Sequence, residues 1–159
     1  MFGFFKKNSG FKVVAPVSGM AMPIEGVKDD VFSSKMMGDG FAVSPTSNDI
    51  FAPVKGRIST VFPTKHAIGI TTPDGLEVLV HMGLDTVEME GAPFEVFVEK
   101  DQEVNAGDQL AVMDRLQVQQ SGRDDSIVVV YTNMDLLKDY PKVENKQVEH
   151  GDELGNLKF

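Results

Sequence analysis

Short apolar segments separated by turn residues run the length of this 159-residue chain. They include FKVVAPV, GFAVSP, GRISTVFP, HAIGITT, LEVLVHM, FEVFVE, QLAVMD and SIVVVYT, with Gly, Pro, Asn and Asp in the intervals. Runs this brief, closed by residues that reverse the backbone, have the length and punctuation of strands. The pattern predicts an all-β fold: an antiparallel β-sandwich or barrel-like single domain with a few short helical turns. The candidate turns are DDVFSSKMMG near 30–38, MDRLQVQQS near 113–121 and NMDLLKDY near 133–140. Asn133 is placed to cap the last of these and Pro141 to stop it. Ala15-Pro16-Val17-Ser18-Gly19 is echoed by Ala52-Pro53-Val54-Lys55-Gly56, and VNAGDQL (104–110) loosely by VEHGDEL (148–154). Two copies are too few for a solenoid and suit a β-domain of two similar halves. We expect a flexible tail over 1–12 and one domain over 13–159.

Composition removes several classes of function. The chain has no cysteine, which excludes disulfides, thiolate-bound metals and thiol catalysis. A net charge of -9 argues against a nucleic-acid partner and suits a basic protein partner. No apolar run approaches a membrane span. MFGFFKK places its charges after its apolar residues, the reverse of a secretory signal. Phe2, Phe4 and Phe5 beside Lys6 and Lys7 offer at most a weak membrane-surface contact. The chain reads as cytoplasmic, and its start at Met1 without a linker reads as free-standing.

Two of the three histidines fall in TKHAIGITTPDGLEVLVHMG, residues 64–83. Thr72-Pro73-Asp74-Gly75 has the residues of a four-residue turn. If Thr72 faces Gly75, His66 faces His81 across a hairpin, with Cβ atoms about 5 Å apart. A bulge at the Gly would shift this register by one residue, and a second bulge would restore it. In the simple register Thr64, Ile68 and Ile70 share the face of His66, while Leu79 and Glu77 share that of His81. Phe62 joins them if the strand stays regular past Pro63. Ala67, Gly69, Val78 and Val80 then form the core side. The imidazoles sit on an outer face rimmed by apolar residues, a common mark of a contact surface.

Three readings of the pair stand side by side: two surface histidines; a zinc site completed by a carboxylate or water; and phosphoryl transfer on histidine, with one ring as nucleophile and the other stabilising phosphoryl oxygens.

Gly75-Leu76-Glu77-Val78-Leu79-Val80-His81-Met82-Gly83-Leu84-Asp85-Thr86-Val87 resembles the segment around the phosphorylated histidine of glucose-type enzyme IIA domains of the bacterial phosphoenolpyruvate-dependent sugar phosphotransferase system. The likeness continues through both A-P-V-x-G segments, DDVF at 29–32, Met37-Gly38-Asp39-Gly40, Thr64-Lys65-His66-Ala67 and Val104-Asn105-Ala106-Gly107-Asp108, covering about Ala15 to Asn133. It implies an antiparallel β-sandwich with a shallow apolar depression around the histidines. It implies that His81 takes phosphate from the phosphohistidine of HPr and passes it to a cysteine of a sugar-specific IIB domain. His66 would hydrogen-bond the phosphoryl group and Thr64 would orient His66. Phe32, Phe62 and Leu79, with Ile68 beside the histidines, would form an apolar partner-binding rim. Asp29 and Asp85 would meet basic residues of partners. No cofactor is required, although some relatives share zinc between the two histidines and a partner's carboxylate. Regulatory proteins that sense phosphorylation are further expected partners.

Each role has a plainer counterpart. By residue type alone Phe32 and Phe62 suit a core better than a rim, and Asp29, Asp30 and Asp85 suit solvated surface. Asp39 between glycines reads as a turn residue, His150 as a surface loop, and Met36, Met37 and Met82 as packing. A zinc hydrolase is the rival function, because His81-Met82-Gly83-Leu84-Asp85 is an H-x-x-x-D, but the H-x-H that such peptidases also need is missing. A biotinyl or lipoyl carrier would modify Lys35, whose flanking residues do not fit.

Overall fold

The computed structural model describes residues 11–159. Its strands are β1 (Lys12–Val14), β2 (Gly19–Pro23), β3 (Asp39–Pro45), β4 (Asp49–Phe51), β5 (Gly56–Val61), β6 (Ala67–Thr71), β7 (Glu77–Met82), β8 (Phe94–Val96), β9 (Glu103–Val104), β10 (Gln109–Met113), β11 (Ile127–Tyr131), β12 (Lys146–Val148) and β13 (Glu153–Asn156). They form an eight-stranded sheet in the order β12-β2-β3-β11-β7-β6-β5-β9, a three-stranded sheet β4-β10-β8 and the pair β1-β13. Neighbours in these sheets pair antiparallel, so the architecture is the all-β one that the segment pattern predicts. Among the described residues no helix is long and apolar enough to cross a membrane.

The apolar run of β11 follows from its place at the centre of the large sheet. Ile127, Val129 and Tyr131 enter the main core with Phe41, Val80 and Leu110. Val128 and Val130 point the other way, into a smaller cluster with Ile24, Phe32, Ala42 and Leu84. A strand covered on both faces needs no polar alternation. From this smaller cluster Phe32 sets its ring 5.0 Å from that of His81.

The sequence echoes are one structural unit used twice. Ala15 N–H donates to Asp152 O at 2.9 Å and Ala15 O accepts from Gly151 N–H at 2.9 Å. Ala52 N–H donates to Asp108 O at 2.8 Å and Ala52 O accepts from Gly107 N–H at 2.8 Å. In each loop the Asp carboxylate accepts from the backbone three residues back, from Asn105 N–H at 2.8 Å and Glu149 N–H at 2.9 Å. The copies bind each other reciprocally: Val14 N–H donates to Pro53 O at 2.8 Å, and Phe51 N–H to Pro16 O at 2.7 Å. Each unit ends in a glycine that no other residue could replace in place. A Cβ at Gly19 would lie 2.1 Å from Ser44 O, and one at Gly56 would lie 2.3 Å from Thr71 O.

Helical structure is briefer than the sequence suggests. Helix α1 (Asp30–Ser33) starts where the Asp29 carboxylate accepts from Val31 N–H at 2.9 Å, and α2 (Arg115–Gln120) where Asp114 accepts from Gln117 N–H at 3.1 Å. The expected third helix is one 3-10 turn, Met134–Leu136, and Asn133 does not cap it. Its amide instead accepts from Glu77 N–H at 2.7 Å and donates to Gly75 O at 3.0 Å, pinning the β6–β7 hairpin. Asp39 is likewise no turn residue: it opens β3, accepting from Tyr140 Oη at 2.7 Å beside Lys35 Nζ at 3.3 Å. Lys12 opens β1, one residue before the expected domain boundary at 13. Phe2, Phe4, Phe5, Lys6 and Lys7 lie outside the described residues.

Candidate phosphoryl-transfer site

The hairpin that brings the histidines together carries the bulge at Gly75. Gly75 N–H donates to Thr72 O and Thr72 N–H to Leu76 O, both at 2.9 Å, with Gly75 at φ +90°. The register therefore moves by one, and Ala67, not His66, lies opposite His81. This corrects the faces of β6. Ile68 pairs with Val80 and Ile70 with Val78, and all four are fully or almost fully buried in the main core. Ile68 is thus no part of a partner-binding rim, because one residue of slip reverses the side of every side chain on a strand. Ala67 and Gly69 take the outer face.

The two rings meet nevertheless, by a second irregularity. His66 precedes β6, and its carbonyl accepts from Met82 N–H at 2.7 Å. Regular alternation would send its side chain inward beside buried Met82. The turn just ahead, in which Lys65 N–H donates to Phe62 O at 2.7 Å and Lys65 has φ +61°, ends that alternation. The imidazole lies beside that of His81, ring centroids 5.1 Å apart and planes at 75°.

Around the pair is an open depression of about 290 Å³. Phe32, from α1, sets its ring 5.0 Å from His81, and Phe62 sets its own 5.4 Å from His66. Leu79, two residues before His81 on β7, shares its face. Asp29 and Asp85 lie at the edge. The structure thus brings together His81, His66, Phe32, Phe62, Leu79, Asp29 and Asp85, with Thr64 behind His66. Ala67, Val31, Met37 and Val87 also line the depression and were not assigned there from sequence. The bulge at Gly75 was the signal for Ala67. For Val31 and Met37, residue type gave no signal of direction, and Met36, expected to pack, is 77% exposed.

Hydrogen bonds decide which nitrogen of each ring is free. His81 Nδ1 lies 2.7 Å from Gly83 O. A carbonyl only accepts, so Nδ1 carries the proton and Nε2 keeps its lone pair. His66 Nδ1 lies 2.7 Å from Thr64 Oγ1, leaving its Nε2 toward the depression. Burial, then the neighbouring His66, push the pKa of His81 down to about 4, against a smaller upward effect of the Gly83 carbonyl. Burial also lowers that of His66. Both rings are neutral near pH 7. A neutral imidazole with Nδ1 protonated presents a nucleophilic Nε2, and a second ring beside it is placed to donate to an oxyanion.

Metal binding fits this geometry only in part. Two imidazole Nε2 atoms offer half a tetrahedron, and among the described residues no group of three His, Cys, Asp or Glu side chains could hold a metal ion. His150 stacks on Phe51 with centroids 4.0 Å apart and supplies no third nitrogen. Lys35, the residue a carrier domain would modify, is paired with Glu25 at 3.1 Å and Asp39 at 3.3 Å.

Comparison with known proteins accords with this geometry. Residues 11–137 match the family model described as phosphoenolpyruvate-dependent sugar phosphotransferase system, EIIA 1. The chain belongs to this EIIA family. It is therefore a component of a phosphotransferase system. The glucose-specific EIIA component of Mycoplasma capricolum is 46% identical over 98% of this chain and 99% of its own. The solved glucose permease IIA from Mycoplasma capricolum matches with a TM-score of 0.78 and 44% identity, over 90% of this chain and 92% of that one. The glucose-specific EIICBA component of Streptococcus pneumoniae is 53% identical over 127 residues, 80% of this chain and 18% of that protein. In that relative the matched segment is one part of a longer EIICBA component.

Proposed function

We propose that this EIIA domain is a cytoplasmic phosphocarrier whose acceptor is Nε2 of His81. The observation that carries the reading is the bond from His81 Nδ1–H to Gly83 O, which leaves Nε2 unprotonated in an open depression beside His66. The donor is the phosphohistidine of HPr. As Nε2 attacks phosphorus, a new N–P bond forms and the donor's N–P bond breaks, its electron pair returning to the donor ring nitrogen. The proton on Nδ1 stays where it is. In this reading the Thr64 hydroxyl, 2.7 Å from His66 Nδ1, is the donor of that bond, so His66 carries its proton on Nε2 and donates to a phosphoryl oxygen. Such charge stabilisation, with positioning, is most of what phosphoryl transfer needs from a protein.

The phosphate then passes to a cysteine of the IIB domain of a sugar permease, glucose being the sugar named for the relatives. Both partners use the depression in turn: Phe32, Phe62 and Leu79 supply apolar contact, and Asp29 and Asp85 attract basic residues. Phosphorylation adds roughly two negative charges to this patch, so regulatory partners would distinguish the two forms. The transfer uses no metal. Zinc held by both Nε2 atoms would need further ligands from a partner and would block phosphorylation.

The test is reconstitution with labelled phosphoenolpyruvate, enzyme I, HPr and a IIB domain. Label is expected first on this chain and then on the IIB cysteine. Label reaching IIB with this chain omitted would exclude the carrier role.

A further inference from the structure

Two consecutive peptide units next to His81 are each gripped at both ends. In the Met82–Gly83 unit, the carbonyl of Met82 accepts from Thr86 Oγ1 at 2.6 Å and Gly83 N–H donates to Ser126 O at 2.8 Å. In the Gly83–Leu84 unit, the carbonyl of Gly83 accepts from His81 Nδ1–H at 2.7 Å and Leu84 N–H donates to Asp124 O at 2.9 Å. Both torsions of Gly83 are therefore fixed, at a φ of +78° that L side chains rarely adopt. A Cβ there would lie 2.5 Å from Thr86 Cγ2. The receiving loop is itself braced, since Asp124 Oδ1 accepts from Ser126 N–H at 2.8 Å.

Of the groups gripping these two units, only the ring of His81 and the hydroxyl of Thr86 are side chains. Thr86 is fully buried, and its hydroxyl reaches back four residues from the 3-10 turn Thr86–Met89. Without it the Met82–Gly83 plane is held at one end only. The preceding His81–Met82 unit is held separately, its Met82 N–H donating to His66 O at 2.7 Å. A backbone carbonyl can select a histidine tautomer only while it stays aimed at the ring.

We infer that Thr86 is a positioning residue for the phosphoryl acceptor: its hydroxyl holds the Met82–Gly83 peptide so that the Gly83 carbonyl keeps the proton of His81 on Nδ1. Thr86 touches neither phosphate nor partner. It acts through the backbone, and the inference rests on the reading of His81 as acceptor.

The test compares Thr86→Val, which keeps the shape and deletes the hydroxyl, with Thr86→Ser, which keeps the hydroxyl and deletes the methyl. Imidazole 15N shifts report the tautomer of His81 in the unphosphorylated chain, and the rate of uptake from phospho-HPr is measured in parallel. In Thr86→Val the Nε2–H tautomer is expected to gain population and uptake to fall roughly fivefold, the scale of one hydrogen bond. Thr86→Ser is expected to restore both. A folded Thr86→Val with unchanged tautomer and rate would overturn the inference. If the Val variant does not fold, Thr86→Ser decides: loss of the Nδ1–H tautomer despite the retained hydroxyl overturns it as well. The 15N shifts need no phosphate, so a failure of the acceptor role in the wild-type chain would be seen separately.

Discussion

Ala67 lies directly across the hairpin from His81, and His66 reaches the same ring from one residue further back, outside the strand. The histidine pair is thus built from two irregularities, a bulge at Gly75 and a left-handed Lys65, rather than from an even ladder.

The shifted register separates stability from docking. Ile68→Ala removes a fully buried side chain and is expected to cost about 2–5 kcal/mol. It should lower the denaturation midpoint while leaving the affinity for phospho-HPr unchanged in the folded fraction. Leu79→Ala, on the outer face, should do the reverse: weaken binding and leave stability less affected. Titration calorimetry beside urea denaturation reads both.

Burial sets the pH response. His81 has its pKa lowered from 6.5 to about 4 in the folded chain, and that of His66 is lowered too. Between pH 6.5 and about 4 the unfolded chain binds more protons than the folded one, so stability rises with pH across this window and is level above it. His81 alone contributes at most about 3 kcal/mol of that rise, at ~1.4 kcal/mol per pKa unit. Uptake of phosphate should likewise stay level from neutral pH down to about 5 and fall as Nε2 protonates near 4. Urea midpoints and uptake rates across this range check both expectations.

The second histidine and its threonine should act on rate. His66→Gln leaves the nucleophile in place but changes the donor to the phosphoryl group, and onward transfer to the IIB domain is expected to fall about 10²–10³-fold. Thr64→Val removes only the hydroxyl that orients His66 and should cost roughly fivefold. Single-turnover transfer from the phosphorylated chain measures each step.

Charge at the edge should act on encounter. Asp85 has φ +58°, a conformation that Asn also tolerates, so Asp85→Asn removes the charge and keeps the backbone. Association with HPr is expected to slow severalfold at low salt. The difference should shrink as the Debye length falls to about 3 Å at 1 M. Stopped-flow association at several ionic strengths reads it.

Much of this was legible in the sequence because it depends on residue type and spacing. Turn residues between short apolar runs gave the strands, and the reciprocal bonds at Ala15 and Ala52 explain why the two A-P-V-x-G segments look alike. The outward face of β7 followed from the alternation of Glu77, Leu79 and His81. What was lost was long-range or rested on a single torsion. Ile68 was misplaced because Gly75 holds a bulge, which turn residues allow but do not require. Asn133 has the residue type of a helix cap, yet its amide binds Glu77 and Gly75, partners more than fifty residues earlier. Asp39 looked like a turn residue because Tyr140, which binds it, is distant in sequence. Val31 and Met37 fall within and after the helical turn expected near 30–38, but residue type did not say which of its side chains face the site.

The most direct measurement is intact mass after incubation with phosphoenolpyruvate, enzyme I and HPr, on the wild-type chain and on His81→Ala. One acid-labile phosphate is expected on the wild type and none on the variant. An unphosphorylated wild type with competent donors, or a variant that still takes up the phosphate, would contradict it.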